Sequence, residues 1–516
     1  MFKKTAICLA LCTIFSTAFF TACGKEEHSS SSSSNRVEDG FETLYTEKTA
    51  RNLSVGGTAS FPVNKDVGDK NYIKFELSTD VNLVGYIHYE DIAGTGKTNS
   101  EKIYIEANDR EFTSFLDAFR RGAFGDFEKK ITEITLQNVS ETAGQVTLSA
   151  VKISDRVFDP DETLFIDDGS LKVGASLAMG GALTHVEKIN AGVVEYIDKN
   201  GDVRIEPNTN PEEVTVITEE VNLINIHDYG REVQQSYYAA VDESNGYVPK
   251  SEVLYDATLR YNPIQGGSAG DKQSQIIEYR HTKNEIYIKA RLSEWFLDNT
   301  LSDSYAESRY YFAQDGMMIS YNRFVNFSQF TGMEETRVDG QETPAVYVAY
   351  PLNYFYCETD KGTINDPNLY PAIGSPSKKH INDRIEGPYH YLLDQRSVPA
   401  DWLAFVNDKG FGIGFCMPGA DMYRASRGWT SIQYSLDANQ HYYQKVHGVL
   451  DGKYVPSAFA DNYNYMCPVT NMRMIDFVPI EYEYAVYVGT TTEMRQQFDA
   501  LRTAGFLENK NLHAWD

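Results

Sequence analysis

Short segments with alternating apolar and polar residues dominate this sequence, and tight-turn dipeptides separate them. Tyr72–Leu77, Leu83–Tyr89 and Glu285–Leu292 are clear examples. Asp-Gly and Asn-Gly pairs, which favour two-residue hairpin turns, stand at 168–169, 200–201, 315–316, 339–340 and 451–452. Because a period of two matches half-buried strands, we expect an antiparallel all-β protein.

The alternating segments form two groups with a polar linker around Pro160 between them. Residues 45–155 are expected to form an N-terminal jelly-roll-like β-sandwich that binds carbohydrate or serves as a spacer. Residues 156–516 carry too many strands for a simple sandwich, so we expect a large antiparallel β-supersandwich. A short C-terminal helix is predicted to be capped by Thr491 or Thr492 and to end before Gly505.

The N-terminus has the pattern of a bacterial export signal. Lys3 and Lys4 precede the apolar run Ala6–Phe20, and small residues lead to Cys23. Residues 1–22 are therefore expected to be a lipoprotein signal peptide, with Cys23 lipidated; the alternative is a plain secretory peptide. Residues 23–44, with six consecutive serines, are expected to be a flexible tether. The globular part would then lie outside the cytoplasmic membrane, attached to it only through the lipid.

Charge and cysteine usage exclude several classes of function. The chain has 47 basic and 73 acidic residues, a formal charge of −26, which repels nucleic acid. Three cysteines remain in the body, Cys357, Cys416 and Cys467, so at most one disulfide is expected there. Because CxxC and HExxH motifs are absent from the sequence, we predict no metal site and no cofactor.

The densest run of hydrogen-bonding side chains lies between residues 222 and 238. Such groups must be paired when buried, or they serve a ligand. We predict that this run lines a carbohydrate cleft together with the loop Asn262–Gln265, which contains Pro263. The alternative for Asp228 and Arg231 is an ion pair that stabilises a loop. The ligand-binding candidates are Asn225, Asp228, Arg231, Gln235, Tyr237, Asn262 and Gln265.

Hydrolysis of a glycosidic bond usually needs two carboxyl groups beside the bond. The carboxyl candidates are Glu278, Glu386 and Asp401, and His227 is the candidate acid or base. Trp402 follows Asp401 and is predicted to form the floor of a sugar subsite. His390 between two tyrosines suits the rival chemistry, β-elimination by a polysaccharide lyase.

The second region resembles the galactose-mutarotase-like β-supersandwich family. The resemblance lies in Leu171–Gly174, Gly180–Val186, Val193–Ile197 and Trp402–Phe415. It implies an oligo- or polysaccharide as the partner. Our leading interpretation is a lipid-anchored, glycoside hydrolase-like surface protein. The alternatives are a non-catalytic polysaccharide-binding lipoprotein and a polysaccharide lyase.

Overall fold

The computed structural model describes most of the chain from residue 40 to residue 509. The described residues are 40–68, 70–92, 96–116, 128–155, 159, 161–207, 214–239, 261–267, 273–295, 301–314, 316–329, 341–359, 362–363, 390–394, 398, 400–429, 449–450, 453–460, 462–507 and 509. Residues 38–516 belong to one compact unit. In the described part, no helix has the length and apolarity needed to cross a membrane.

The N-terminal part of this unit contains nine strands. They are β1 (Glu42–Thr46), β2 (Arg51–Leu53), β3 (Thr58–Gly68), β4 (Tyr72–Thr79), β5 (Leu83–Asp91), β6 (Thr98–Ile105), β7 (Glu111–Phe115), β8 (Lys129–Asn138) and β9 (Gly144–Ser154). One sheet has the order β1-β9-β4-β7, with β2 beside β9, and the other has the order β3-β8-β5-β6. This chain path, alternating between two antiparallel sheets, is a jelly roll, as predicted.

The rest of the chain contains the larger set of strands. They are β10 (Thr163–Asp167), β11 (Leu171–Ser176), β12 (Leu183–Lys188), β13 (Val193–Ile197), β14 (Val203–Pro207), β15 (Thr215–Thr218), β16 (Val233–Ser236), β17 (Pro263–Ile264), β18 (Gln275–His281), β19 (Glu285–Glu294), β20 (Leu301–Gln314), β21 (Met317–Asn326), β22 (Gln341–Ala349), β23 (Tyr354–Thr359), β24 (Gly362–Thr363), β25 (His390–Asp394), β26 (Trp402–Val406), β27 (Phe411–Cys416), β28 (Met422–Trp429), β29 (Val449–Leu450), β30 (Lys453–Tyr454), β31 (Asn462–Thr470) and β32 (Ile480–Thr490). The helix α1 (Thr491–Thr503) follows β32.

The pairings of these strands define two large antiparallel sheets. The first large sheet runs β18-β19-β20-β21-β32-β27-β26-β23. The second runs β10-β11-β12-β16-β22-β31-β28-β25. The short strand β17 pairs with both β16 and β19 and so joins the two sheets. The predicted all-β fold is confirmed.

The main hydrophobic core takes side chains from both large sheets. Ile288 and Val486 belong to the first sheet, and Val346 and Met466 belong to the second. Each alternates with outward-facing neighbours, which is the period-two pattern of the sequence. One face of the second sheet is thereby committed to the core, and its opposite face is left for other contacts.

The predicted turns and closing helix also form. Gly169 and Gly201 adopt positive φ angles of 83° and 84° in the hairpins β10–β11 and β13–β14, as Asx-Gly turns require. The cap of α1 is Thr490, one residue earlier than predicted, because its hydroxyl and Glu493 form a reciprocal capping box. The helix buries Met494 and Phe498 against the outer side of the first large sheet.

The sandwich and the first large sheet share a hydrophobic cluster. Tyr305 and Phe327 of the large region belong to the same buried cluster as the core of the sandwich. Next to it, the buried Arg291 guanidinium pairs with the buried Glu101 carboxylate. The domain boundary between β9 and β10 stays a prediction, and Pro160 lies outside the described residues.

Candidate functional site

The polar segment around Asn225 forms a loop that leads into β16. The backbone N–H of Asn225 donates to the carbonyl of Tyr347 at 3.0 Å, and the N–H of Tyr347 donates to the carbonyl of Glu232 at 3.3 Å. Because both ends bond to Tyr347, the loop is held beside β22. We call residues 225–232 the rim loop.

The rim loop is also fixed to the turn that precedes β31. The Asn225 side chain donates to the carbonyl of Ala460 at 2.8 Å. The N–H of Ile226 donates to the carbonyl of Ala458 at 2.7 Å. Asn225 is fully buried, so its described amide contacts hold the backbone in place.

Asp228 and Arg231 form the ion pair that the sequence left as an alternative. The Nε atom of Arg231 lies 2.9 Å from Oδ1 of Asp228; the arginine side chain is 5% exposed and the aspartate 46%. The guanidinium also lies over the ring of Tyr463, 4.6 Å from its centroid. The pair therefore stands at the border between the protein interior and solvent.

Four tyrosines and one glutamate lie together next to this ion pair. The hydroxyls of Tyr238 and Tyr465 donate to the two carboxylate oxygens of Glu342 at 2.9 and 2.6 Å. The ring of Tyr347 lies 5.1 Å from that of Tyr463 and 5.0 Å from that of Tyr465. We call this group, carried by β22, β31 and the segment that follows β16, the tyrosine face.

The tyrosine face lies on the side of the second large sheet that points away from the main core. Val346 and Met466 pack into that core. Their neighbours Tyr347 and Tyr465 pair in register across β22 and β31 and belong to a separate small cluster. Because successive side chains of a strand point to opposite faces of the sheet, the aromatic surface lies on the face of the second large sheet opposite the main core.

Burial favours the neutral form of two tyrosine hydroxyls of this face. Burial raises the pKa of Tyr238 well above its ordinary value, and the Glu342 carboxylate adds to the effect. Burial likewise raises the pKa of Tyr347, with further contributions from Tyr463 and Glu342. Neutral phenols are hydrogen-bond donors and poor proton acceptors. These two hydroxyls are therefore suited to donating hydrogen bonds, and the lyase alternative stays a prediction.

Other predicted ligand residues lie together in a buried hydrogen-bonded network. The Gln265 side chain donates to Ser308 Oγ at 3.0 Å and to a backbone carbonyl. The Gln235 side chain donates to the same Ser308 oxygen and accepts from the Tyr237 hydroxyl at 2.8 Å. Asn262 bonds to the carbonyl of Tyr237 at 2.7 Å. Ligand contact by these residues stays a prediction, and the structure shows them fastening β16, β17 and β20.

Three residues predicted to be catalytic or to form a subsite, Glu278, Asp401 and Trp402, belong to the first large sheet or its border. Glu278 lies on β18 opposite Lys289 of β19. Asp401 lies just before β26, where its carboxylate is 3.6 Å from Arg502 of α1. These two carboxyl groups are not on the sheet that carries the tyrosine face. Glu386 and Cys23 lie outside the described residues.

Trp402 occupies the hydrophobic layer under the C-terminal helix. Its ring stacks on Tyr356 at 5.3 Å and contacts Phe498 at 5.6 Å, and the side chain is fully buried. In the structure, protein covers the Trp402 ring, and its role as the floor of a sugar subsite stays a prediction.

One buried carboxyl group was not singled out from the sequence. Glu232 is fully buried, and neither carboxylate oxygen makes a well-formed hydrogen bond among the described residues, although the backbone N–H groups of Gly230 and Arg231 act on its charge. Burial raises its pKa well above the ordinary value, and the nearby Asp228 charge adds to this. A Cβ atom at Gly266 would overlap the carboxylate, so only glycine leaves room for it there. Burial thus favours the protonated form of Glu232, close to the ion pair.

The tyrosines on β22 and β31 were also missed by sequence reasoning. Their signal was present in the alternation of Tyr463, Asn464 and Tyr465, and in Val346, Tyr347 and Val348. Such runs look like ordinary strands, because the sequence does not tell which face is covered. Only the pairing of β22 with β31 brings the rings together.

The described residues offer no evident metal centre. Among them, no group of three or more histidine, cysteine, aspartate or glutamate side chains is placed to hold an ion. The loop Asp198–Asp202, which resembles a calcium loop in sequence, forms the predicted hairpin turn. Its Asp198 carboxylate accepts backbone N–H groups of Asn200 and Asp202 at 2.8 and 3.0 Å.

Comparisons with known proteins give structural likeness only. No protein-family model and no curated protein sequence matches the chain. The crystal structure of PirA aligns at a TM-score of 0.14 and 7% identity, over 20% of this chain and 92% of that chain. The GalM/aldose epimerase homologue from C. elegans aligns at 0.29 and 9%, over 64% and 99%. The glycoside hydrolase domain of Endo-D from Streptococcus pneumoniae R6 aligns at 0.17 and 8%, over 53% and 36%. Two of these carry carbohydrate-related names, and at such TM-scores the functional question rests on the site itself.

Proposed function

We propose that this protein binds a saccharide on the tyrosine face. The supporting observation is the combination of aromatic rings with hydrogen-bonding groups along one side of the second large sheet. Tyr347 and Tyr463 are partly exposed, and Arg231 and Asp228 border them. Sugars present flat C–H faces to rings and hydroxyls to planar polar groups, so this set matches both of their surfaces.

The charges of the site favour a neutral saccharide. The Arg231 guanidinium already faces Asp228, and Glu342 adds a second carboxylate beneath the rings. A polyanionic saccharide would be repelled by these carboxylates and by the formal charge of −26 on the whole chain. The hydroxyl groups of a neutral saccharide can instead donate hydrogen bonds to the carboxylates and accept them from the guanidinium.

Hydrolysis of the bound glycan is the second candidate function. Asp228 is half exposed, whereas the pKa of the neighbouring Glu232 is raised by burial. An accessible carboxylate beside a carboxyl group whose pKa is raised by burial is the pattern of a base or nucleophile paired with an acid. Glu232 would have to become accessible to the ligand for this role. Of the carboxyl groups predicted from the sequence, Glu278 and Asp401 belong to the first large sheet or its border, so Glu386 is the one left as a possible partner of Asp228.

The cellular setting is proposed from the N-terminus. With Cys23 lipidated, the serine-rich tether would hold the binding face away from the membrane surface. A Cys23→Ser protein should leave the membrane fraction after cell fractionation. Full retention of that variant in membranes would contradict the lipid anchor.

The direct test is a glycan array with protein that begins at residue 24. Tyr463→Ala should weaken binding of every positive glycan about tenfold, which is about 1.4 kcal/mol. Tyr311→Ala on the first large sheet is the matched control and should bind like the parent protein. If both variants bind equally well, the tyrosine face is not the site. Release of reducing sugar from the positive glycans, abolished by Asp228→Asn, would separate a hydrolase from a binder.

A further inference from the structure

The turn before β31 presents an aromatic ring to solvent. Phe459 is 53% exposed and is the most exposed phenylalanine among the described residues. Its neighbours Ser457 and Ala458 are buried, so the turn itself is packed on the protein. We call residues 456–460 the Phe459 turn.

Hydrogen bonds fix this turn from two sides. On one side, the N–H of Ser457 donates to the buried Glu195 carboxylate at 2.9 Å, and its hydroxyl donates to the same group. On the other side, the rim loop holds the turn through Asn225 and Ile226. A ring on such a turn is already positioned, so a ligand that stacks on it pays little ordering entropy.

The Phe459 turn is continuous with the tyrosine face. The Nδ1 atom of the exposed His227 lies 2.9 Å from the carbonyl oxygen of Phe459. The next residue, Asp228, pairs with Arg231, which lies over the ring of Tyr463. The residue that carries the exposed phenyl ring is therefore bonded through its backbone to the rim loop, and the rim loop carries the ion pair that borders the proposed binding surface.

We propose that Phe459 is a stacking platform for one pyranose ring of the ligand. A pyranose offers an apolar C–H face to the phenyl ring and hydroxyls at its edge to His227 and Asp228. This inference rests on the proposed function of the tyrosine face and extends it by one subsite. It makes the ligand longer than a monosaccharide, because the Phe459 turn and the tyrosine face each take a sugar unit.

The test compares three substitutions of one exposed side chain. Phe459→Ala should weaken binding of a positive oligosaccharide about tenfold, measured by isothermal titration calorimetry. Phe459→Trp should bind at least as well as the parent, and Phe459→Leu should not restore binding, because stacking needs a ring. Phe506→Ala removes another exposed phenyl ring and is the control. Thermal unfolding of the Phe459 variants should match the parent, since the ring is mostly in solvent.

The outcomes separate this inference from the proposed function. If Tyr463→Ala loses binding and Phe459→Ala does not, the platform is wrong and the tyrosine face stands. If Phe459→Leu binds like Phe459→Trp, the position is only an apolar contact and the platform is also wrong. If the parent binds no glycan, both proposals fail. Association of the parent into dimers that Phe459→Ala abolishes would assign the ring to a second copy and overturn the inference.

Discussion

The rim loop and Gln235 of the buried glutamine network come from one polar segment, yet the structure uses them differently. In the network, the side-chain amides of Gln235 and Gln265 meet protein partners at 2.8–3.2 Å. In the rim loop, Asp228 remains half exposed and His227 lies in solvent. Polar side chains therefore signal a binding surface only where strand direction leaves them uncovered, and elsewhere they hold strands together.

The largest effect should come from the buried carboxyl group beneath the Phe459 turn. Burial raises the pKa of Glu195 to about 7 from its ordinary value of 4.5, despite hydrogen bonds from Ser457. The folded state therefore holds this proton longer than the unfolded state. The stabilisation is complete below about pH 4.5, is lost as the pH rises to about 7, and amounts to about 3 kcal/mol.

Glu195→Gln should remove this dependence. Urea unfolding at pH 5 and pH 8 measures this dependence. The free energy of unfolding of the parent should fall from pH 5 to pH 8 by more than that of Glu195→Gln. Glu162→Gln, at an exposed position, is the control. An equal difference between parent and Glu195→Gln at both pH values would show that Glu195 does not titrate in this range.

The next effect concerns the buried network. Gln265→Ala removes the donor to the Gly180 carbonyl and the acceptor of the Gln235 backbone N–H, so the free energy of unfolding should fall by about 1–3 kcal/mol for each buried group left unpaired. Gln496→Ala on the exposed side of α1 should change little. Loss of glycan binding by Gln265→Ala with unchanged stability would instead place Gln265 in the ligand site, as the sequence predicted.

The rim loop should show the opposite behaviour. His227→Ala and Arg231→Ala should each weaken glycan binding about tenfold, or about 1.4 kcal/mol. The protein should stay folded in both variants, as judged by circular dichroism and thermal unfolding. Parent-like binding by both variants would remove the rim loop from the site.

The smallest effect should be on the stability of the ion pair. Because Asp228 is half exposed, water screens its attraction to Arg231. Asp228→Asn should therefore lower the free energy of unfolding by only about 0–1 kcal/mol. Urea unfolding of this variant beside Gln265→Ala compares the two polar regions directly. A larger loss for Asp228→Asn would make the pair a structural element, which was the alternative interpretation of the sequence.

The alternating strands were readable in advance because burial of one strand face leaves a local signal. Tyr72–Leu77 and Glu285–Leu292 both lie within observed strands, and Thr490 differs from the predicted cap by one position. Hairpins at Gly169 and Gly201 follow from the φ angles that glycine tolerates. These features depend on residues close together in the chain.

The candidate site was readable only in part. The sequence marked Arg231 and Asp228, since dense polar residues need partners or a ligand. It did not mark Tyr347 or Tyr463, which are 116 residues apart and meet only through the pairing of β22 with β31. Long-range pairing leaves no local pattern, so the aromatic surface could not be assembled from composition or spacing.

Two neighbours show most clearly what each level decides. The sequence determined that Tyr237 and Tyr238 point to opposite sides of the chain, because successive side chains alternate in extended structure. The tertiary structure decided which side is the core: Tyr237 stacks on Phe324 at 3.7 Å, and Tyr238 joins Glu342 on the tyrosine face. The physical reason is that alternation is set within one strand, whereas the identity of the buried face is set by which sheet packs against it.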